Sequence, residues 1–173
     1  MGTIEKIISG GQTGADRAAL DFAIAHHIPY GGWLPRGRKT EDGALDLKYH
    51  LQEMHTSNYS KRTERNVLES DGTVIVSHGF LTEGSALTGE FAARHRKHWI
   101  HIDLKELTIK EAAVKLHHWL TRYEIKVLNV AGPRARKDPA IYEATFHLLE
   151  ETLTVLPPVP WKFPQGWDYE GTK

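Results

Sequence analysis

The chain has no cysteine, which excludes disulfides, zinc–thiolate centres and thiol nucleophiles. Excess charge of either sign is also missing. Lys+Arg and Asp+Glu each number 22, so the formal net charge is +0, and the chain as a whole has no pull toward nucleic acid or an anionic membrane. No apolar run approaches the ~20 residues that a membrane span requires. The opening Met1–Lys6 lacks the basic-then-apolar pattern of a secretory signal, so the expected compartment is the cytoplasm. Several catalytic signatures are lacking too: no Walker A lysine, no G-x-G-x-x-G, no G-x-S-x-G elbow and no H-E-x-x-H. There is no internal repeat.

What is present is an alternation of strand and helix patterns. Ile4–Ser9, Thr73–Ser77, Trp99–Asp103 and Lys126–Ala131 are short, nearly continuous apolar runs bounded by glycine or polar turns. Ile28–Trp33 is a weaker strand candidate. Helices are expected from Thr13 to about His27, from Lys61 to Ser70 and from Gly84 to His98. A fourth carries Ile109, Ala112, Ala113, Leu116, Trp119, Leu120 and Tyr123 on one face. Thr108 and Glu111 stand before it at capping-box spacing. Asp138-Pro139 predicts the start of a last helix. Helix-length segments between strands imply parallel pairing by right-handed crossovers. The expected architecture is a three-layer, doubly wound, Rossmann-like α/β fold with a mainly parallel sheet. It would occupy residues 1–156 as one domain. Residues 157–173 would form a strap rich in proline and aromatics, packed on its own domain or on a neighbouring subunit. Residues 40–58 show no assignable pattern.

Ligands of doubly wound sheets bind beyond the carboxyl ends of the strands, and three turns on that edge are unusual. The first holds Gly10, Gly11, Gln12, Thr13 and Gly14 before an alanine-rich helix, whose free N–H groups favour an anion. The alternative reading is a tight strand–helix turn with Asp16 and Arg17 as first-turn surface charges. The second turn places Gly84, Ser85 and Thr88 at a helix start, a second anion cradle by the same physics. In the third, Arg134 follows Gly132-Pro133 and could clamp a phosphate or carboxylate. Arg36 and Arg38 lie where a dinucleotide-binding chain would carry an acidic residue. Arg62 and Asn66, one turn apart with Thr63 beside them, either face the same cleft or form an exposed polar face. His95 and His98 have helical spacing suited to a metal, but no acidic partner accompanies them, so no metal site is expected.

These segments together resemble the molybdenum carrier family. The resemblance rests on Ser9–Asp16, Gly32–Arg38, Tyr59–Thr63, Asn66-Val67, Ser70–Thr73, Gly84–Thr88 and Asn129–Arg134, spread over nearly the whole chain. The family is similar to algal molybdenum cofactor carrier proteins. More distantly it resembles the lysine-decarboxylase-like group, with its cytokinin-activating nucleotide phosphoribohydrolases. The resemblance implies a Rossmann fold, a homo-oligomer (dimer or tetramer), and a ligand that is molybdenum cofactor (molybdopterin) or nucleotide-like. It also implies a molybdoenzyme as recipient. The phosphoribohydrolases carry a P-G-G-x-G-T-x-x-E loop; here the matching segment lacks the proline and the paired glycines. Glu90 is the one residue in reach of their catalytic glutamate's position. A carrier is therefore the leading expectation, and cleavage of a nucleotide N-glycosidic bond or nucleotide sensing the alternatives.

Overall fold

The computed structural model describes residues 4–155, so the strap expected at 157–173 lies outside the described residues. The elements run β1 (Lys6–Ile8), α1 (Ala15–Ala25), β2 (Tyr30–Gly31), β3 (Trp33–Leu34), β4 (Lys39–Thr40), β5 (Gly43–Ala44) and β6 (Gln52–Glu53). There follow α2 (Tyr59–Leu68), β7 (Gly72–Ser77), α3 (Glu83–Arg94), β8 (His98–Asp103), α4 (Ile109–Arg122), β9 (Val127–Ala131) and α5 (Ile141–Glu150). A π-helical turn, Glu151–Val155, extends α5.

The central sheet has the order β2-β1-β9-β7-β8, and every pairing in it is parallel. The apolar strands predict this, since a parallel sheet is covered on both faces. All six residues of β7 are buried. On one side of the sheet, Phe22 of α1, Leu116 and Trp119 of α4, and Leu148 and Leu149 of α5 join Val74, Val76, Leu128 and Val130 in the main core. On the other side Val67 of α2 meets Phe91 and Ala92 of α3. The result is the expected α/β fold: a parallel sheet flanked by helices.

The capping box at Thr108 is present, with the Thr108 side chain accepting from Glu111 N–H and Glu111 returning a bond to the Thr108 backbone. Two expectations are corrected. The last helix starts at Ile141 rather than at Asp138-Pro139. The Asp138 carboxylate caps a single turn, accepting from Ala140 N–H at 3.1 Å, and also meets His78 Nδ1 at 2.7 Å. The expected strand Ile28–Trp33 is divided: Tyr30-Gly31 joins β1, whereas Trp33-Leu34 leaves the central sheet to pair with β6. Gly32 makes the break. Its φ is +134°, and a Cβ there would lie 2.0 Å from the Ser9 carbonyl oxygen.

Leu116 is fully buried and Leu47 is 78% exposed. Leu116→Ala should therefore lower unfolding free energy by about 2–5 kcal/mol, and Leu47→Ala should change it by less than about 0.5 kcal/mol. Chemical denaturation checks both.

Candidate functional site

β1, β9 and β7 lie side by side at the middle of the sheet, and the chain leaves all three at the same edge. Glycine lets the loops touch. A Cβ on Gly132 would stand 2.4 Å from the Val76 oxygen and 2.7 Å from Ala15 Cβ. The loop after β9 is therefore pressed onto the end of β7 and the start of α1. Gly14, the residue before α1, has φ +77°, and a Cβ there would reach within 2.4 Å of the Pro133 oxygen. Any other residue at 14 would meet both backbone strain and a collision.

Between these loops and α2 lies a cleft of about 110 Å³. Among the residues bordering it are Gly10, Gln12, Asp16, Arg62, Gly84, Ser85, Thr88, Asn129, Arg134 and Lys137. The segments around Gln12, Ser85 and Arg134 thus share one cavity. Neither α1 nor α3, which both begin there, has a side-chain cap, whereas α2 and α4 do. Ala15 N–H is taken by the Pro133 carbonyl at 3.3 Å and Ser85 N–H by the Thr82 carbonyl at 3.2 Å, and the positive dipole end of each helix is left at the cleft.

The floor of the cleft is a buried ion pair. Arg62 Nη1 lies 3.3 Å from Asp16 Oδ2, with the side chains 10% and 8% exposed. Asp16 also accepts from Gln12 N–H at 3.3 Å. Burial pushes the Asp16 carboxyl upward, against the pull of the Arg62 guanidinium and the Gln12 N–H. Arg62 lies flat over Gly10, where a Cβ would stand 1.5 Å from Nη1. Asp16 is therefore not a plain surface charge, nor is Arg17, which donates to the Gly11 carbonyl at 3.3–3.4 Å, and α2 does not present Arg62 and Asn66 to solvent. Both α2 residues are buried, and Asn66 bonds both the N–H and the carbonyl of Trp33.

Gln12 has a fixed orientation. Its Oε1 accepts from Thr13 N–H at 3.0 Å and from Glu41 N–H at 2.9 Å. Both partners are donors, so the oxygen must face them and the amide nitrogen must face the cleft side. That Nε2 is buried without a hydrogen-bond partner, and so is Arg62 Nε. Leaving a buried donor unmatched costs about 1–3 kcal/mol.

The remaining sequence-predicted residues are distributed around this centre. Thr13 stands behind the cleft: its hydroxyl donates to Glu41 and accepts from Ala135 N–H at 3.0 Å. Gly11 faces Leu34, Leu45 and Leu51. Arg36 is exposed. Arg38 donates to the carbonyls of Leu45, Asp46 and Tyr49 at 2.8–2.9 Å, and so shapes the 44–49 loop rather than bordering the cleft. Glu90 is exposed on α3 and is not among the residues lining the cleft. His95 meets Glu64 at 2.7 Å and the His98 ring stacks on Tyr123. Among the described residues no group of three His, Asp or Glu could hold a metal ion.

The sequence reading missed Glu41. It sits at the tip of the β4–β5 hairpin, accepts from Thr13 and Arg136 N–H, and lies 3.8 Å from Arg134 Nε. It therefore clasps the first and third loops together. The Asp42-Gly43 pair was the available signal, a turn dipeptide of the hairpin type.

Comparison with known proteins adds two findings. Residues 7–153 match the family described as the circularly permutated YpsA SLOG family. The chain is also similar to the crystal structure of a protein from Syntrophus aciditrophicus SB named "Putative molybdenum carrier protein". The two are 62% identical, with a TM-score of 0.87 over 88% of this chain and 96% of that one. No curated protein matches.

Arg62→Met should destabilise the protein by about 3–5 kcal/mol near neutral pH, because it strands a buried carboxylate. A carboxyl whose folded pKa is raised favours the folded state below its ordinary value, 3.8, and loses that benefit as pH rises through the folded value. The penalty should therefore shrink as pH falls toward the acid range. Gly10→Ala, which displaces the guanidinium, should behave alike. Denaturation curves across pH check this; a penalty independent of pH would be inconsistent with an unpaired Asp16.

Proposed function

Since the chain belongs to the circularly permutated YpsA SLOG family, we propose that it is a carrier that grips a small molecule by an anionic group, specifically the phosphate of molybdenum cofactor (molybdopterin). One observation carries the reading: Gln12 and Arg62 line the cleft, and each holds a buried donor, Nε2 and Nε, with no protein partner. A phosphate is an acceptor several times over and can match both, and the positive dipole ends of α1 and α3 favour its charge. Arg134 and Lys137, on the rim, supply further positive charge. The residues fit an anion better than a bare metal, since recognition here is by N–H donors. Molybdenum would be held by the pterin's own sulfur atoms.

The name of the Syntrophus protein supports a molybdenum-related cargo. In this reading the protein acts in the cytoplasm as a homo-oligomer, dimer or tetramer, and hands its cargo to a molybdoenzyme. Cleavage of a nucleotide N-glycosidic bond draws no support from Glu90, which stands exposed and away from the cleft lining. A carrier needs tight donors and shielding rather than a general base.

The test is native mass spectrometry of freshly purified protein, with metal analysis and pterin fluorescence of any retained ligand, followed by calorimetric titration with pyrophosphate. A co-purifying pterin and measurable pyrophosphate binding are expected. Gln12→Glu keeps an acceptor for Thr13 and Glu41 but replaces the cleft donor with a carboxylate oxygen. It should weaken pyrophosphate binding at least roughly tenfold. Equal affinity in the variant would remove Gln12 from the site, and no binding of either probe would end the carrier reading.

A further inference from the structure

A second chamber of about 450 Å³ opens beside the first, and the two share Thr82, Ser85, Pro133 and Lys137 as common walls. We propose that this chamber seats a planar heteroaromatic ring against Phe80, so that one ligand spans both chambers, anion in the small one and ring in the large one. The proposal rests on the anion reading of the first chamber and adds where the rest of the ligand sits and which side chain it meets.

Size is the first argument. The larger chamber falls within the ~300–1,000 Å³ typical of small-molecule sites, whereas the polar cleft of about 110 Å³ suits a compact group. Phe80 is the second. Its side chain lines the chamber and is 94% exposed, the most exposed large apolar side chain among the described residues. The backbone just before it is held. Gly79 N–H donates to Asp103 Oδ1 at 2.7 Å, Ser77 Oγ donates to the Gly79 carbonyl at 2.6 Å, and Gly79 takes φ +93°. An outward ring beside a polar anchor can serve as a stacking platform, and stacking tolerates any flat π-system. The third argument is His78, which also borders the chamber. Its Nδ1 is tied to Asp138 at 2.7 Å. The imidazole is thereby oriented, and Nε2 remains as the polar position for the edge of a heterocycle.

Nucleotide bases and pterins share this chemistry, and the experiment separates them. Wild type and Phe80→Ala are titrated calorimetrically with inorganic phosphate, ribose 5-phosphate, guanosine 5′-monophosphate and neopterin monophosphate. The exposed position of Phe80 makes the substitution neutral for folding. At least one ring-bearing ligand should bind wild type more tightly than ribose 5-phosphate does. In Phe80→Ala that ligand should weaken roughly ten- to hundredfold, with phosphate and ribose 5-phosphate unchanged. Preference for the guanosine or the pterin compound identifies the ring. Ring-bearing ligands that bind no better than ribose 5-phosphate, or that ignore Phe80→Ala, overturn the proposal. So does a variant that alters only the oligomeric state, which would make Phe80 an assembly contact. Loss of the anion reading looks different: phosphate then fails to bind wild type, while a Phe80-dependent ring ligand would still uphold the second chamber.

Discussion

A guanidinium lying across a glycine joins the parts of this molecule that matter most. Arg62 comes from α2 on one face of the sheet, Asp16 from α1 on the other, and Gly10 from the turn that leaves the sheet between them. Their contact crosses the sheet edge in a buried environment, where Coulomb attraction is strong but desolvation is costly. The upward pressure of burial on Asp16 records that cost. Such a pair adds little net stability over well-packed apolar residues of the same volume. It sets where α2 stands over the edge, and so which of its polar groups reach the cleft.

The same edge concentrates other polar groups that a folding core would normally avoid. Gln12 spends its oxygen on two backbone donors, one in its own loop and one in the β4–β5 hairpin. Glu41 spends its carboxylate on the first and third loops. All but the Gln12–Thr13 bond are long in sequence and local in space, and they make the loops one body. The unmatched nitrogens of Gln12 and Arg62 are then fixed in place rather than free to turn toward water. Groups held this way meet a ligand with little further loss of rotamer freedom.

This division also explains what could be read from the sequence. β7 and α4 were legible because their signals are local: a β-branched run between turns, and an apolar stripe behind a capping box. The glycine turns were legible because tight backbone contact needs glycine in any context. Arg62 and Asn66 were not, because a helix with a buried polar face has the same pattern as one with an exposed polar face. Only partners such as Asp16 and Trp33 decide between them. Arg36 and Arg38 drew attention by charge and chain position, yet Arg38 turned out to organise carbonyls of its own loop. Glu41 was hidden in a stretch whose strands are two residues long, too short for periodicity to register.

The place of β9 has a consequence for how the molecule is made. It is the last strand of the described chain, yet it lies between β1 and β7. Until it emerges from the ribosome, the early β1–β2 pair and the later β7–β8 pair have no shared neighbour to dock on. Neither the sheet nor the cavity at its edge can mature piecemeal, and such long-separation pairings close slowly. The nascent chain must therefore keep two half-built parts of one sheet from pairing with other chains until β9 slots in as the keystone.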